Sequence, residues 1–135
     1  MTYAIEKIEG IGPVYASRLA TAGIATTEDM LDLCTDPDGR RDVAEATGID
    51  LDRILKWANL ADLMRIAGIG PQFSELLEAA GVDTVKELRN RNAESLATAL
   101  NTVNTERRLT RVTPTITVVR KWVAQAVETK PLIRY

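Results

Sequence analysis

An internal repeat constrains the fold of this chain more than any other feature of its sequence. Ile8-Glu9-Gly10-Ile11-Gly12-Pro13 returns 58 residues later as Ile66-Ala67-Gly68-Ile69-Gly70-Pro71. Lys56-Trp57 matches Lys121-Trp122 at an offset of 65, so the second copy carries a seven-residue insertion between Leu88 and Lys121. One such unit cannot bury its apolar face alone. We therefore predict two similar units, residues 1–65 and 66–135, packed around one core.

Local signals within each copy predict helices and no convincing strand. A proline follows each Gly-Ile-Gly, and a helix accepts proline best at its first position. A glycine ten residues later suits the left-handed residue that ends a helix. Thr26 and Thr84 are then expected to cap the next helices. Apolar residues also recur at helical spacing after Asp50 and after Thr115, so we predict an all-α fold.

The composition excludes several classes of function. The chain contains no histidine, which removes imidazole metal sites and histidine-based catalysis. Its one cysteine, Cys34, cannot form an intrachain disulfide and favours a reducing, cytoplasmic compartment. No membrane-spanning run and no catalytic or metal-binding motif is present, so we expect no membrane association, no catalytic residues and no metal site. Trp57 and Trp122 are expected in the core rather than as base-stacking platforms.

Charge is distributed unevenly along the chain. The net charge is −2, but residues 1–65 hold seven basic and twelve acidic side chains, whereas residues 66–135 hold ten basic and seven acidic ones. The extremes are 28–52, with nine acidic residues, and 103–135, with seven basic ones. The basic half could contact a nucleic acid, or the acidic and basic surfaces could meet within one chain or between two chains. A solvated surface without a partner is the third interpretation.

The unit apolar-x-Gly-Ile-Gly-Pro-x-x-small-x-x-Leu resembles the helix-hairpin-helix motif, and the chain contains it twice. Its glycines allow a sharp turn and close approach of a partner, since no Cβ intervenes. The amides after each proline would lie at a helix N-terminus, which favours anions. In the family these amides contact DNA phosphates, and a monovalent cation held by hairpin carbonyls can bridge to a phosphate. The resemblance carries this DNA-contact role to Gly10, Ile11, Gly12, Val14, Tyr15, Gly68, Ile69, Gly70, Gln72 and Phe73, with Arg18 and Arg65 as neighbouring cations.

The charges near the hairpins depart from the family pattern. Members that bind DNA often carry Lys or Arg two residues past the second glycine, where this chain has Val14 and Gln72. Glu9 stands directly before the first hairpin, where its charge would repel a phosphate, whereas Ala67 precedes the second hairpin. Two hypotheses therefore stay open for each hairpin: a phosphate-binding site and a purely structural turn.

Nearly the whole chain is also similar to a bacterial family of tandem helix-hairpin-helix proteins classed as a domain of unknown function. The similarity runs from residues 8–16 through 57–63 to 82–85. It implies two hairpin repeats related by an approximate twofold axis, and it supplies no catalytic residue. We therefore expect a non-enzymatic, sequence-independent module for double-stranded DNA. The alternative is a module that binds another protein or a second copy of itself as a dimer, with structural hairpins.

Residues 42–54 resemble a second DNA-binding motif, the helix-turn-helix. The motif has a small residue, a turn glycine and two apolar core residues at the positions held here by Ala44, Gly48, Ile49 and Ile54. The second helix would begin Asp50-Leu51-Asp52, however, and its carboxylates would repel a duplex. We therefore favour the interpretation that this spacing packs two helices at a steep angle.

Overall fold

The chain is all-helical in the computed structural model, which describes residues 2–135. A single bridge between Ala4 and Thr26 is the only β-pairing among the described residues. One turn of 3-10 helix, Ile5–Lys7, precedes the first α-helix. The eight α-helices of the described chain are α1 Pro13–Thr21, α2 Thr27–Cys34, α3 Pro37–Thr47, α4 Leu51–Leu63, α5 Pro71–Ala79, α6 Val85–Arg89, α7 Ala93–Arg107 and α8 Ile116–Glu128.

Side-chain caps determine where most of these helices begin. Thr26 and Thr84 accept hydrogen bonds from Asp29 N and Glu87 N, which confirms both predicted caps. The cap at α2 is a full capping box, because the Asp29 carboxylate also accepts from Thr26 N. Four further helices start at a capping side chain of the same kind, namely Asp36, Asp50, Asn92 and Thr115. The two exceptions, α1 and α5, follow the repeated glycine turns.

The buried apolar residues form two clusters, so the expectation of one shared core was wrong. The first cluster comes from α1 to α4 and the residues before α1. The second comes from α5 to α8 and includes Leu63, at the end of α4. Met64, the next residue, belongs to the first cluster, so the two clusters adjoin at this point. A repeat offset shows that two units are alike, but it does not show whether they share one interior.

The C-terminal tail, residues 129–135, runs back from the second half to the first. Ile133 is buried in the first cluster, and Arg134 N donates to Thr35 O at 2.7 Å. The buried Arg40 guanidinium donates to Arg134 O at 2.6 Å and also to the carbonyls of Cys34 and Thr35. These hydrogen bonds satisfy a buried cation and hold the tail at the end of α2.

The seven-residue insertion lengthens α7 and the loop that follows it. Helix α7 has 15 residues, against 11 in the corresponding α3. Only Leu96, Leu100 and Asn104 of α7 are buried, so its sequence carries a weak apolar pattern. The segment 108–115 then connects α7 to α8, where residues 48–50 suffice in the first half.

The segment that resembles a helix-turn-helix has a packing role in this structure. Helix α3 ends at Gly48, which is left-handed with φ of 70°, and Asp50 caps α4. From Trp57 to Leu63 every residue of α4 is buried. Helix α4 is therefore a core helix along its second half, and its exposed N-terminal part carries the carboxylates of Asp50 and Asp52, which would repel a duplex. No described helix has both the length and the apolar character that a membrane span requires.

Candidate functional site

The first glycine of each Gly-Ile-Gly turn is required by the fold. Gly10 and Gly68 have φ values of 94° and 90°, a left-handed conformation that L side chains rarely adopt. Each lies against a buried tryptophan: a Cβ on Gly10 would be 3.6 Å from Trp57 Nε1, and one on Gly68 would be 3.1 Å from Trp122 Nε1. Both tryptophans are buried, as predicted.

The isoleucine between the glycines anchors each turn in its own core cluster. Ile11 is 4% exposed and Ile69 is fully buried, and they belong to the first and second clusters respectively. Ile11 N donates to Ile8 O at 3.1 Å, and Ile69 N donates to Ile66 O at 3.0 Å. The two turns are therefore alike in backbone, in anchoring and in the tryptophan that each one contacts.

The second glycine of each turn is not required by the fold. Gly12 and Gly70 have extended backbone with φ of −82° and −93°, which any residue adopts. A Cβ on Gly12 would meet nothing within 4 Å, and one on Gly70 would meet only the Tyr3 hydroxyl at 3.7 Å. What glycine provides here is open space in front of the helix that follows.

The helices that begin after these glycines have no side-chain cap. Gly12 O and Gly70 O accept from Ala16 N and Ser74 N, so each glycine supplies the first helical carbonyl. Within residues 2–135, no side chain accepts from the first turns of α1 and α5. The amides of Val14 and Tyr15, and those of Gln72 and Phe73, lie in these first turns, where a helix leaves its N–H groups without an intrahelical acceptor. Both helix ends therefore present positive partial charge beside an open glycine.

The two aromatic residues of the predicted set pack against the buried tryptophans that contact the turns. Tyr15 packs edge-on against Trp57 at 5.2 Å between ring centroids, and Phe73 packs against Trp122 at 5.3 Å. The Arg53 guanidinium covers the Tyr15 ring at 5.6 Å. Because these rings are held against the core, a partner would meet the backbone amides of Tyr15 and Phe73 rather than a flat ring surface.

The remaining predicted side chains differ in their availability. Val14 is 66% exposed and Gln72 is exposed. Arg18 is exposed and forms no ion pair among the described residues. Arg65 instead donates to the Asp62 carboxylate at 2.7 and 3.0 Å and to Lys130 O at 2.8 Å. Arg65 is thus partly buried and its guanidinium is already hydrogen-bonded to Asp62 and to the C-terminal tail, unlike the exposed Arg18.

A groove joins the first half of the chain to the second turn. This groove, of about 640 Å³, is lined by Gly70 and neighbouring residues of the second turn on one side and by Tyr3, Lys7 and Glu9 on the other. Glu9, adjacent to the first turn in sequence, therefore also acts on the second turn in space. Together with burial, which is the larger cause, its charge raises the pKa of the Glu75 carboxyl on α5.

Sequence reasoning missed two cations beside the second turn. Arg108 and Arg111, from the inserted segment, line an open pocket of about 570 Å³ together with Gln72. The basic excess of 103–135 signalled these cations, but their position depends on how α7 packs against α5. Among the described residues no group of three or more histidine, cysteine, aspartate or glutamate side chains is placed to hold a metal ion.

Comparison with known proteins gives one result. A family model described as "Domain of unknown function (DUF4332)" matches residues 9–129, which include both glycine turns and all eight α-helices. No curated protein and no solved structure matches this chain.

Proposed function

This chain belongs to the DUF4332 family, whose function is unknown, and we propose that it is a non-enzymatic module that binds double-stranded DNA without recognising sequence. The proposal takes the two glycine turns as helix-hairpin-helix motifs related by an approximate twofold axis. It also includes a bacterial, cytoplasmic setting for the protein. The contacts are made to backbone phosphates, because the turns offer amides rather than side chains that could distinguish bases.

One observation carries this proposal: the second glycines, Gly12 and Gly70, serve no need of the fold. Their backbone is ordinary and the space in front of them is nearly empty, yet each precedes a helix without a side-chain cap. All six other α-helices of the described chain have such a cap. An anion that approaches closely would accept from the amides that a capping side chain otherwise occupies.

The carbonyls of each hairpin are the groups that would hold a monovalent cation in this proposal. Gly10 and Gly68 turn the backbone sharply beside the helix start. A cation held by these carbonyls would supply positive charge to a phosphate and would reduce the repulsion from Glu9. We expect potassium chloride and sodium chloride of equal ionic strength to support different duplex affinities if such a cation takes part.

The test is the binding of a fluorescently labelled random-sequence duplex, followed by anisotropy over a salt series. We expect the logarithm of the affinity to fall linearly with the logarithm of salt, at about 0.9 per phosphate neutralised. Gly70→Val is expected to weaken binding strongly with little change in the melting temperature, because its β-branched side chain fills the approach to α5. Gln72→Lys is expected to strengthen binding and to raise the salt slope by about one unit.

Two control variants isolate the contribution of the turn. Thr98→Lys adds the same charge on the exposed side of α7, roughly 15 Å along the helix from Arg108 at 1.5 Å per residue. Gly68→Ala forces a side chain into a left-handed position against Trp122, so it should lower stability. If the unmodified protein shows no duplex binding at 50 mM salt, the proposal fails.

A second candidate function is a protein-interaction or self-association module. The observation that favours it is Val14, a large apolar side chain that is 66% exposed at the first turn. An apolar interface there would respond little to salt, in contrast to phosphate contacts. Contact between acidic 28–52 and basic 103–135 already occurs within one chain, where Arg134 pairs with Asp36 at 3.4 Å. Light scattering at low salt and high protein concentration separates a dimer of such chains from a monomer.

A further inference from the structure

The open pocket beside the second turn is lined mainly by residues of α7 and of the inserted segment that follows it. Arg108 and Arg111 come from the segment 108–115, which replaces the short connection 48–50. Gln72, two residues past the second glycine, is part of the same lining. The insertion therefore places two guanidinium groups at the uncapped end of α5, at the position where Gln72 itself brings no charge.

A buried asparagine holds the inserted loop in one conformation. Asn104 Nδ2 donates to Thr110 O and to Thr113 Oγ1, and Asn104 Oδ1 accepts from Thr110 N at 3.0 Å. Asn104 is 7% exposed, so these hydrogen bonds are shielded from water. The Thr110 hydroxyl also donates to Val112 O at 2.9 Å. Arg108 and Arg111 are therefore presented by an ordered loop.

Arg108 has a left-handed backbone conformation, which favours glycine. It ends α7 with φ of 51° and ψ of 48°, and it is the only residue other than glycine with positive φ in the described chain. All five described glycines with positive φ end a helix or form a turn in the same way. Arginine at this position carries a conformational cost that glycine would avoid. Stability of the fold therefore does not account for Arg108.

The charges around the pocket leave its arginines unpaired. Arg108 and Arg111 are exposed, and neither forms an ion pair within 4.0 Å among residues 2–135. Glu9, across the neighbouring groove, and Glu75, on α5 itself, are acidic groups on this side of the molecule, and Glu106 lies two residues before Arg108 on α7. The charges of Lys56 and Arg107 act on Glu75 and partly offset its charge. Arg108 and Arg111 form no ion pair with any of these carboxylates.

We propose that this pocket receives a backbone phosphate of the duplex held by the second turn, with Arg108 and Arg111 as the cations that Gln72 does not supply. This inference rests on the proposed DNA-binding function and assigns the insertion a role within it. Guanidinium groups suit the site because they bind phosphate oxygens bidentately. It follows that the two turns bind unequally, with the stronger contact at the second.

The experiment measures duplex affinity and its salt slope for Arg108→Gly, Arg111→Ala and the control Lys121→Ala. All three variants lose one positive charge from the segment 103–135, but Lys121 lies on α8 and does not line the pocket. We expect each pocket variant to lower the salt slope by about one unit. Arg108→Gly should at the same time raise the melting temperature, because glycine relieves the left-handed position. A purely structural arginine would not change stability and affinity in opposite directions.

The possible results separate this inference from the proposed function. If the unmodified protein binds duplex and Gly70→Val weakens it, while both pocket variants behave like Lys121→Ala, only the pocket assignment is overturned. If the unmodified protein does not bind duplex at 50 mM salt, the proposed function fails and the pocket assignment fails with it. If both pocket variants lower the slope and Lys121→Ala does not, the assignment stands.

Discussion

At the scale of single residues, the four turn glycines divide into two pairs with different roles. Gly10 and Gly68 are left-handed and lie against tryptophans, so a side chain there would strain the backbone and the core. Gly12 and Gly70 are conformationally ordinary and face open space. Substitution of the first pair should therefore reduce stability, and substitution of the second pair should reduce only the approach of a partner.

Glu75 provides a prediction about pH at the residue scale. Burial and the charge of Glu9 raise the pKa of its carboxyl above the ordinary value of 4.5. A raised pKa in the folded state means that the ionised form opposes folding at neutral pH. We expect Glu75→Gln to raise the melting temperature at pH 7 and to have little effect at pH 3.5, where this carboxyl is mostly protonated in both the folded and the unfolded chain.

The control for this prediction is Glu106→Gln, an exposed carboxyl on α7. Thermal unfolding followed by circular dichroism at pH 7 and at pH 3.5 compares the two variants. Equal melting temperatures for the Glu75 variant and the unmodified chain at pH 7 would contradict the assignment. The same substitution removes a negative charge near the second turn, so it should also strengthen duplex binding.

At the scale of secondary-structure elements, α4 is the helix that connects the two halves. Asp62, fully buried near its end, accepts from Val85 N at 2.8 Å and thereby fixes the start of α6. The same carboxylate holds Arg65, which in turn donates to Lys130 O in the tail. One side chain thus connects α4, α6 and the C-terminal tail.

We expect Asp62→Ala to destabilise the protein by about 3 kcal/mol. Removing one partner of a largely buried ion pair leaves the other charge without compensation, and such changes cost about 3–5 kcal/mol. The Arg65 side chain keeps 20% of its surface exposed, which places the cost at the lower end. Urea unfolding gives the measurement, and Asp50→Ala, at the exposed cap of α4, should lose much less. A loss below 1 kcal/mol for Asp62→Ala would contradict the role assigned to this carboxylate.

Local chemistry made some elements predictable and left others hidden. The caps at Thr26 and Thr84, the burial of Trp57 and Trp122, and the glycine turns follow from short-range spacing. Helix α7 was not predicted because its buried face is narrow and includes the polar Asn104. The position of Glu9 beside the second turn, and that of Arg111 beside Gln72, depend on how distant segments pack, which periodicity does not encode.

At the scale of the whole molecule, the two halves differ in the segments that are added to their shared pattern of turns and helices. The duplicated turns and helices correspond, but only the second half carries the loop that brings Arg108 and Arg111 beside its turn. Only the first half receives the C-terminal tail, through Ile133 and the Arg40 hydrogen bonds. The second half thus has the added cations, and the first half has the anchor for the end of the chain.

The anchored tail determines how the molecule responds to mechanical tension. Near one end of the chain, Ala4 pairs with Thr26; near the other, Arg134 donates to Thr35. Force applied between residues 2 and 135 is therefore transmitted through the first half. The second half bears no force as long as the tail stays bound to the first half. In an optical trap we expect the tail to detach from the first half first and the second half to extend only afterwards. Arg40→Ala should lower the force at which the tail detaches. Extension of the second half before the tail detaches would contradict this prediction.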